Sequence, residues 1–184
     1  MKVILYMATT PNGMIARKND DSDFISGEAW KEYLRMVKRC GNIIIGRRTF
    51  EVCVYDQHNF PFPNALNVVM SSRKIRNRWP KQAVITDKSP KQIVSMLKRM
   101  GFDSAFLAGG AGLNSSFMKQ GLVDGIYLDV IPHMLGAGIS LFASSNFESR
   151  LRLIGTRKLS PNIIQLHYKV LKHGKNKPKN LLFL

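Results

Sequence analysis

Three junctions in this sequence carry residues suited to holding an anion. The stretch LAGGAGL, residues 107–113, follows the apolar run SAFLA and opens a helical pattern. Glycines at 109, 110 and 112 admit a plain turn, or the close approach of a phosphate to bare backbone at a helix start. The second junction, IIIGRRTFE, places Gly46 before Arg47, Arg48 and Thr49. A sharp turn, a hydroxyl and two guanidinium groups suit a phosphate, and two solvated arginines beyond a turn are the plainer alternative. The third, VVMSSRKIR, puts Ser71, Ser72 and Arg73 at a strand end, where they either grip a second phosphate or simply end the strand.

Other reactive groups are sparse. LAGGAGL lacks the full G-x-G-x-x-G dinucleotide pattern. The histidines at 58, 133, 167 and 173 have no mutual ligand spacing, so no metal site is expected. His167 reads as structural, and His133, beside a turn at a strand end, is a candidate for lining a cleft. Cys40 and Cys53 read as buried free thiols. Glu28 stands at a helix start, where it either faces a cleft or merely complements the helix N-terminus. Glu32 and Asp23 read as solvated.

The elements that must position these groups alternate. KVILYMAT is a strand and Thr10-Pro11-Asn12-Gly13 a turn. A helix is expected from Ser26, with Trp30, Tyr33, Leu34 and Val37 at helical spacing. NIIIG, LNVVMS, QAVIT and DSAFLA read as strands, and Ser89-Pro90 opens an amphipathic helix. GIYLDVIP, RLRLIGTRKL and NIIQLHYKVL follow as strands, the last two joined by the turn Ser160-Pro161-Asn162. Alternation ending in strands predicts an α/β fold with a mostly parallel sheet, helices on both faces and a C-terminal antiparallel hairpin. In such a sheet ligands bind beyond the carboxyl ends of the strands, where all three junctions fall.

With 184 residues, the chain suits one domain over 1–171, followed by a lysine-rich tail at 172–184. No apolar run approaches a membrane span and no signal-peptide pattern opens the chain, so a soluble cytoplasmic protein is expected. Twenty-eight Lys and Arg against twelve Asp and Glu give a net charge of +16, which attracts anionic partners. The basic residues are scattered and not interleaved with aromatics, which argues against a nucleic-acid-binding module.

The pieces MATTPNGMIA, IIIGRRTFE, VVMSS, LAGGAGLNSSFMKQGLVDGIYLDVIP and HMLGAGISLF, in order over roughly residues 1 to 170, resemble the dihydrofolate reductase superfamily. Within it they are similar to the reductase domain of riboflavin biosynthesis. The resemblance implies a twisted sheet of about eight strands, hydride transfer from NADPH, a small-molecule substrate and a homodimer. It implies that Arg47, Arg48 and Thr49 hold adenosine-side phosphates and that Ser71, Ser72 and Arg73 recognise the 2′-phosphate. Gly46 supplies the turn before the arginines, while Gly109, Gly110, Ala111, Gly112 and Leu113 would cradle the pyrophosphate. Ala8 and Ile15 would line the nicotinamide.

For the substrate two expectations stand. GRRTFE resembles the pattern of true dihydrofolate reductases, which place a carboxylate on the first helix beside the pterin. Glu28 is the candidate for it, and dihydrofolate the favoured substrate. The riboflavin-type alternative, an aminouracil ribosyl phosphate, is supported by PHMLGAGISLF. It is weakened by FEVCVYDQHNFPF, which lacks the acidic pair those reductases carry, and by Ala108, where they show an acid.

Overall fold

In the computed structural model, residues 1–56 and 60–172 are described. The strands are β1 (Lys2–Thr9), β2 (Met14–Ala16), β3 (Asn42–Gly46), β4 (Leu66–Met70), β5 (Ala83–Thr86), β6 (Ser104–Leu107), β7 (Gly125–Val130), β8 (Ile139–Ser140), β9 (Arg150–Ser160) and β10 (Ile163–Leu171). The helices are α1 (Gly27–Cys40), α2 (Arg47–Glu51), α3 (Pro90–Arg99) and α4 (Ala111–Lys119), with a π-helical turn over Val52–Asp56 continuing α2. Eight strands form one sheet in the order β5-β4-β3-β6-β1-β7-β10-β9, and β2 pairs with β8 in a separate ribbon. All neighbours from β5 to β7 run parallel, while β10 is antiparallel to both β7 and β9. The expected α/β architecture is therefore present. The ribbon strand β8 was not anticipated, because two residues carry no periodicity.

The central strands are apolar on both sides because helices cover both faces. On one face Tyr6, Ile43, Ile45, Val69 and Phe106 pack against Met36, Val37 and Cys40 of α1 and Phe50 of α2. On the other, Val3, Leu5, Ile44, Val68 and Leu107 meet Ile93 and Leu97 of α3 and Phe117 and Met118 of α4. Two of the helices start on side-chain caps that the sequence encodes. The Ser26 hydroxyl accepts from the Ala29 amide at 3.4 Å and so caps α1, which ends on Gly41 at φ 66°. Ser89 and Gln92 form a reciprocal capping box around Pro90 at the head of α3.

Two buried asparagines tie strand ends to loops. The Asn42 side chain donates to the carbonyls of Cys40 and Ser104 and accepts from the Phe106 amide, locking β3 beside β6. Asn67 donates to the carbonyls of Phe62 and Ala65 and accepts from the Phe62 amide at 2.8 Å, which fixes Phe62. The tail at 173–184 lies outside the described residues, as do His58 and His173. Among the described residues no helix is long and apolar enough to cross a membrane, and no cluster of His, Cys, Asp and Glu could hold a metal ion.

Candidate active site

The parallel strands all end on one edge of the sheet, and a cavity of about 680 Å³ runs along that edge. Gly46, Arg47, Arg48, Thr49, Gly110, Ala111, Gly112 and Leu113 line one part of it. Ala8, Tyr6, Trp30, Tyr33, Phe62 and Asp129 line another. Ile15 and Ser140 add the β2–β8 ribbon to its wall. The fold thus brings the first and second junctions, together with Ala8 and Ile15, to one cavity.

The glycine part is built from two backbone turns in contact. The Gly46 amide donates to the Gly109 carbonyl at 2.8 Å, and the Ala108 amide to the Ile44 carbonyl at 2.9 Å. The Gly109–Gly110 peptide is cis. Gly109 has φ +90°, and a Cβ there would lie 3.0 Å from the Met7 sulfur, so only glycine fits. At Gly110 a Cβ would press on the Thr49 hydroxyl at 3.4 Å, whereas at Gly112 it would meet nothing within 4 Å and project into open space. The first amides of α4 have no intrahelical acceptors, and this nine-residue helix starts on the cavity wall. Bare backbone, unpaired amides and a neighbouring hydroxyl fit a dinucleotide pyrophosphate.

The two arginines are not unopposed. The Arg47 guanidinium donates to both carboxylate oxygens of Glu51, at 2.6 and 2.7 Å. Arg48 Nε donates to Asp20 at 2.6 Å, across the cavity from the β2–α1 loop. Asp20 escaped notice in the sequence, because an acid in RKNDDSD reads as solvated loop.

Ser71, Ser72 and Arg73 do not line the cavity. They continue β4, whose Met70 pairs with Gly46, so they stand one strand further out on the same edge. The Ser71 hydroxyl donates to the Arg73 carbonyl at 2.8 Å and accepts from its amide at 3.1 Å, which leaves the Ser72 and Arg73 side chains exposed.

Glu28 does not face this cavity. It is exposed and borders a separate recess with Arg17, Asp23, Phe24, Ser26 and His133. Hydrogen bonds from its own amide and from Ser26 hold its carboxyl below the usual range. The reason is rotational: on α1, Ala29, Trp30 and Tyr33 take the inward positions, and Glu28 precedes them on the outer side. His133 belongs to the same recess, stacked on Phe24 at 5.1 Å. His167 stacks on Tyr127 at 4.0 Å, and burial lowers its pKa, in keeping with a structural role. Glu32 is not solvated: its side chain is 13% exposed and pairs with Arg35 at 2.7 Å and with Arg157.

Besides Asp20, the carboxylate that borders the cavity is the buried Asp129, on β7. Its register partner on β1 is Ala8, and its partner on β10 is Gln165. The Tyr6 hydroxyl donates to one oxygen at 2.6 Å and the Gln165 amide to the other at 2.8 Å. Arg157 donates to the Gln165 carbonyl oxygen at 3.1 Å. Burial raises the Asp129 pKa, while the bonds from Tyr6 and Gln165 oppose that shift. The Tyr6 hydroxyl is raised by burial and by Asp129. Cys53, also on the wall, is pushed up to about 12 by burial and is a poor nucleophile. In the sequence Asp129 was one residue of IYLDVI, and a single carboxylate inside an apolar strand was the available signal.

A mostly parallel sheet with a glycine-lined helix start on its carboxyl edge and an aromatic chamber beside it defines an α/β domain of the dihydrofolate-reductase-like class. The chain belongs to the RibD C-terminal domain family, whose model matches residues 1–165. It is 29% identical over 170 residues to the uncharacterized protein YwjB of Bacillus subtilis (strain 168), covering 91% of this chain and 97% of that one. The fold matches a structure described as a putative riboflavin biosynthesis protein from Shewanella sp. PV-4, with TM-score 0.80, 18% identity, and 94% and 100% of the two chains covered. It also matches a diaminohydroxyphosphoribosylaminopyrimidine deaminase/5-amino-6-(5-phosphoribosylamino)uracil reductase from Thermotoga maritima, with TM-score 0.72 and 16% identity. There 92% of this chain covers 56% of the other. At these identities the two structures establish the fold alone.

Proposed function

We propose that the protein is an NADPH-dependent reductase that transfers a hydride to the C=N bond or opened-ribose carbonyl of a small heterocyclic substrate. The observation that carries this reading is a single cavity with a backbone-lined anion seat at one part and an aromatic chamber at the other. Gly109, Gly110, Ala111, Gly112 and Leu113 would hold the pyrophosphate, with Gly46 and Thr49 against them. Arg47 and Arg48 would reach the adenosine-side phosphates, exchanging their carboxylate partners for phosphate oxygens. Ser72 and Arg73, exposed on the same edge beside the buried Ser71, would take the 2′-phosphate, and Ala8 and Ile15 would flank the nicotinamide. NADPH, when bound, supplies the hydride; the chain orients it and excludes water.

The favoured substrate is an aminouracil ribosyl phosphate rather than dihydrofolate. The family match supports it, and the helix carboxylate expected of a folate enzyme, Glu28, lies outside the cavity. The test is NADPH oxidation, followed by absorbance, with 5-amino-6-(5-phosphoribosylamino)uracil and with dihydrofolate. Turnover of the first alone supports the reading. Turnover of dihydrofolate alone restores the folate assignment, and failure to bind NADPH defeats both.

A further inference from the structure

Asp129 is the one buried carboxyl group on the cavity wall among the described residues, and nothing in cofactor binding as proposed above uses it. Both Asp129 and Tyr6 are buried, with relative exposures of 0% and 1%, so the carboxyl acts on the cavity without being open to it. Its location along the cavity is nonetheless defined. The anion seat stands at the ends of β3 and β6, and the next strands along the sheet are β1 and β7. Ala8 and Asp129 are register partners at the carboxyl ends of those two strands, and both border the cavity. A dinucleotide with its pyrophosphate on α4 and its reactive ring against Ala8 therefore has the Asp129 carboxyl behind that wall.

Hydride transfer moves one hydrogen nucleus and two electrons from the ring to the acceptor carbon, whose nitrogen or oxygen takes a proton from water. The neutral dihydronicotinamide becomes a pyridinium cation. A fixed negative charge in a poorly hydrated wall favours that cation without touching it. We propose that Asp129, held by Tyr6 and Gln165, is an electrostatic residue that stabilises the oxidised, cationic form of the cofactor ring and so assists hydride release. This rests on the reductase reading above.

The supporting geometry is the hydrogen-bond clamp. Tyr6 and Gln165 each donate to one oxygen, so the group can ionise while buried. Arg157 does not contact it: its guanidinium serves Gln165 and Glu32, and Glu32 is in turn paired with Arg35. Among the described residues the charge of Asp129 is therefore left without a direct cationic partner. The titratable and charged groups facing it are Tyr6 from β1, Glu32 from α1 and Arg157 from β9.

The test compares binding of NADP⁺ with binding of NADPH, by cofactor fluorescence and competition, from pH 5 to 9. The 2′-phosphate titrates in both forms and cancels in the ratio. As Asp129 ionises, wild-type affinity for NADP⁺ relative to NADPH should rise by at least about fivefold, the low end of ordinary site–site coupling. In Asp129→Asn the ratio should be flat with pH and should sit at the low-pH wild-type value. An unchanged ratio and pH profile in Asp129→Asn would overturn the proposal. Should that variant fail to fold, Tyr6→Phe serves instead: loss of one donor moves the rise in the ratio to higher pH, and an unmoved profile overturns the proposal. Absence of binding by either cofactor to the wild-type protein would remove the reductase reading itself. Binding of both with no dependence on Asp129 removes this inference alone.

Discussion

At the glycine part of the cavity the wall comes from two short segments, residues 46–49 and 110–113, held together behind it by the Gly46–Gly109 hydrogen bond. At the aromatic part the wall is side chains drawn from β1, α1, the loop carrying Phe62, and β7. The first needs particular backbone conformations and tolerates few residues at them. The second needs long-range register, since Tyr6, Asp129 and Gln165 meet only because β1, β7 and β10 are neighbours. Changes at the glycine part should therefore act through the backbone, and changes at the aromatic part through electrostatics.

The largest effect is expected at Gly109. Alanine there must adopt φ +90° with its Cβ 3.0 Å from the Met7 sulfur, which should cost about 3 kcal/mol and lower the thermal midpoint by several degrees. A melt matching wild type would show that the junction is looser than its geometry. Next comes Tyr6→Phe, which removes a 2.6 Å hydrogen bond to a buried carboxyl and should cost about 1–3 kcal/mol by urea unfolding.

Asp129 links stability to pH with a defined sign. Its folded pKa is raised, so its contribution is fully present below the ordinary aspartate value of about 3.9 and is lost as pH rises through the raised value. Wild type should therefore lose stability relative to Asp129→Asn as pH rises above about 4, as measured by paired denaturation curves. A gain in wild-type stability relative to Asp129→Asn as pH rises would reverse the assignment.

Gly112 sharpens the contrast with Gly109, although both belong to one motif. Its added Cβ meets nothing and the site is helical, so Gly112→Ala should stabilise by about 0.5–1 kcal/mol while weakening NADPH binding about tenfold. Equal affinity would place the pyrophosphate elsewhere. The smallest effect belongs to Glu28→Gln, which lies in the other recess and should change NADPH oxidation by less than about twofold. A large loss would return the helix carboxylate to the chemistry.

Much of this was legible in the chain because it is local. Alternating strands and helices, the Ser26 and Ser89 caps and the hairpin at Ser160-Pro161-Asn162 are each encoded within a few residues. The glycine junctions were readable for the same reason. What escaped were groups whose partners are remote: Asp20 across from Arg48, Glu32 beneath Arg157, and the Tyr6–Asp129–Gln165 clamp. Glu28 was the cleft candidate because the resemblance to dihydrofolate reductases implied a carboxylate on the first helix, and the rotation of α1 turned it outward.

The sequence by itself determined the elements, their order and the backbone chemistry at the strand ends, since backbone conformation follows from the residues on the spot. Only the tertiary structure decided which carboxylates border the cavity and which cations are already matched. Charges interact across space and not along the chain, so register and burial had to be known before Asp129 could be distinguished from Glu28.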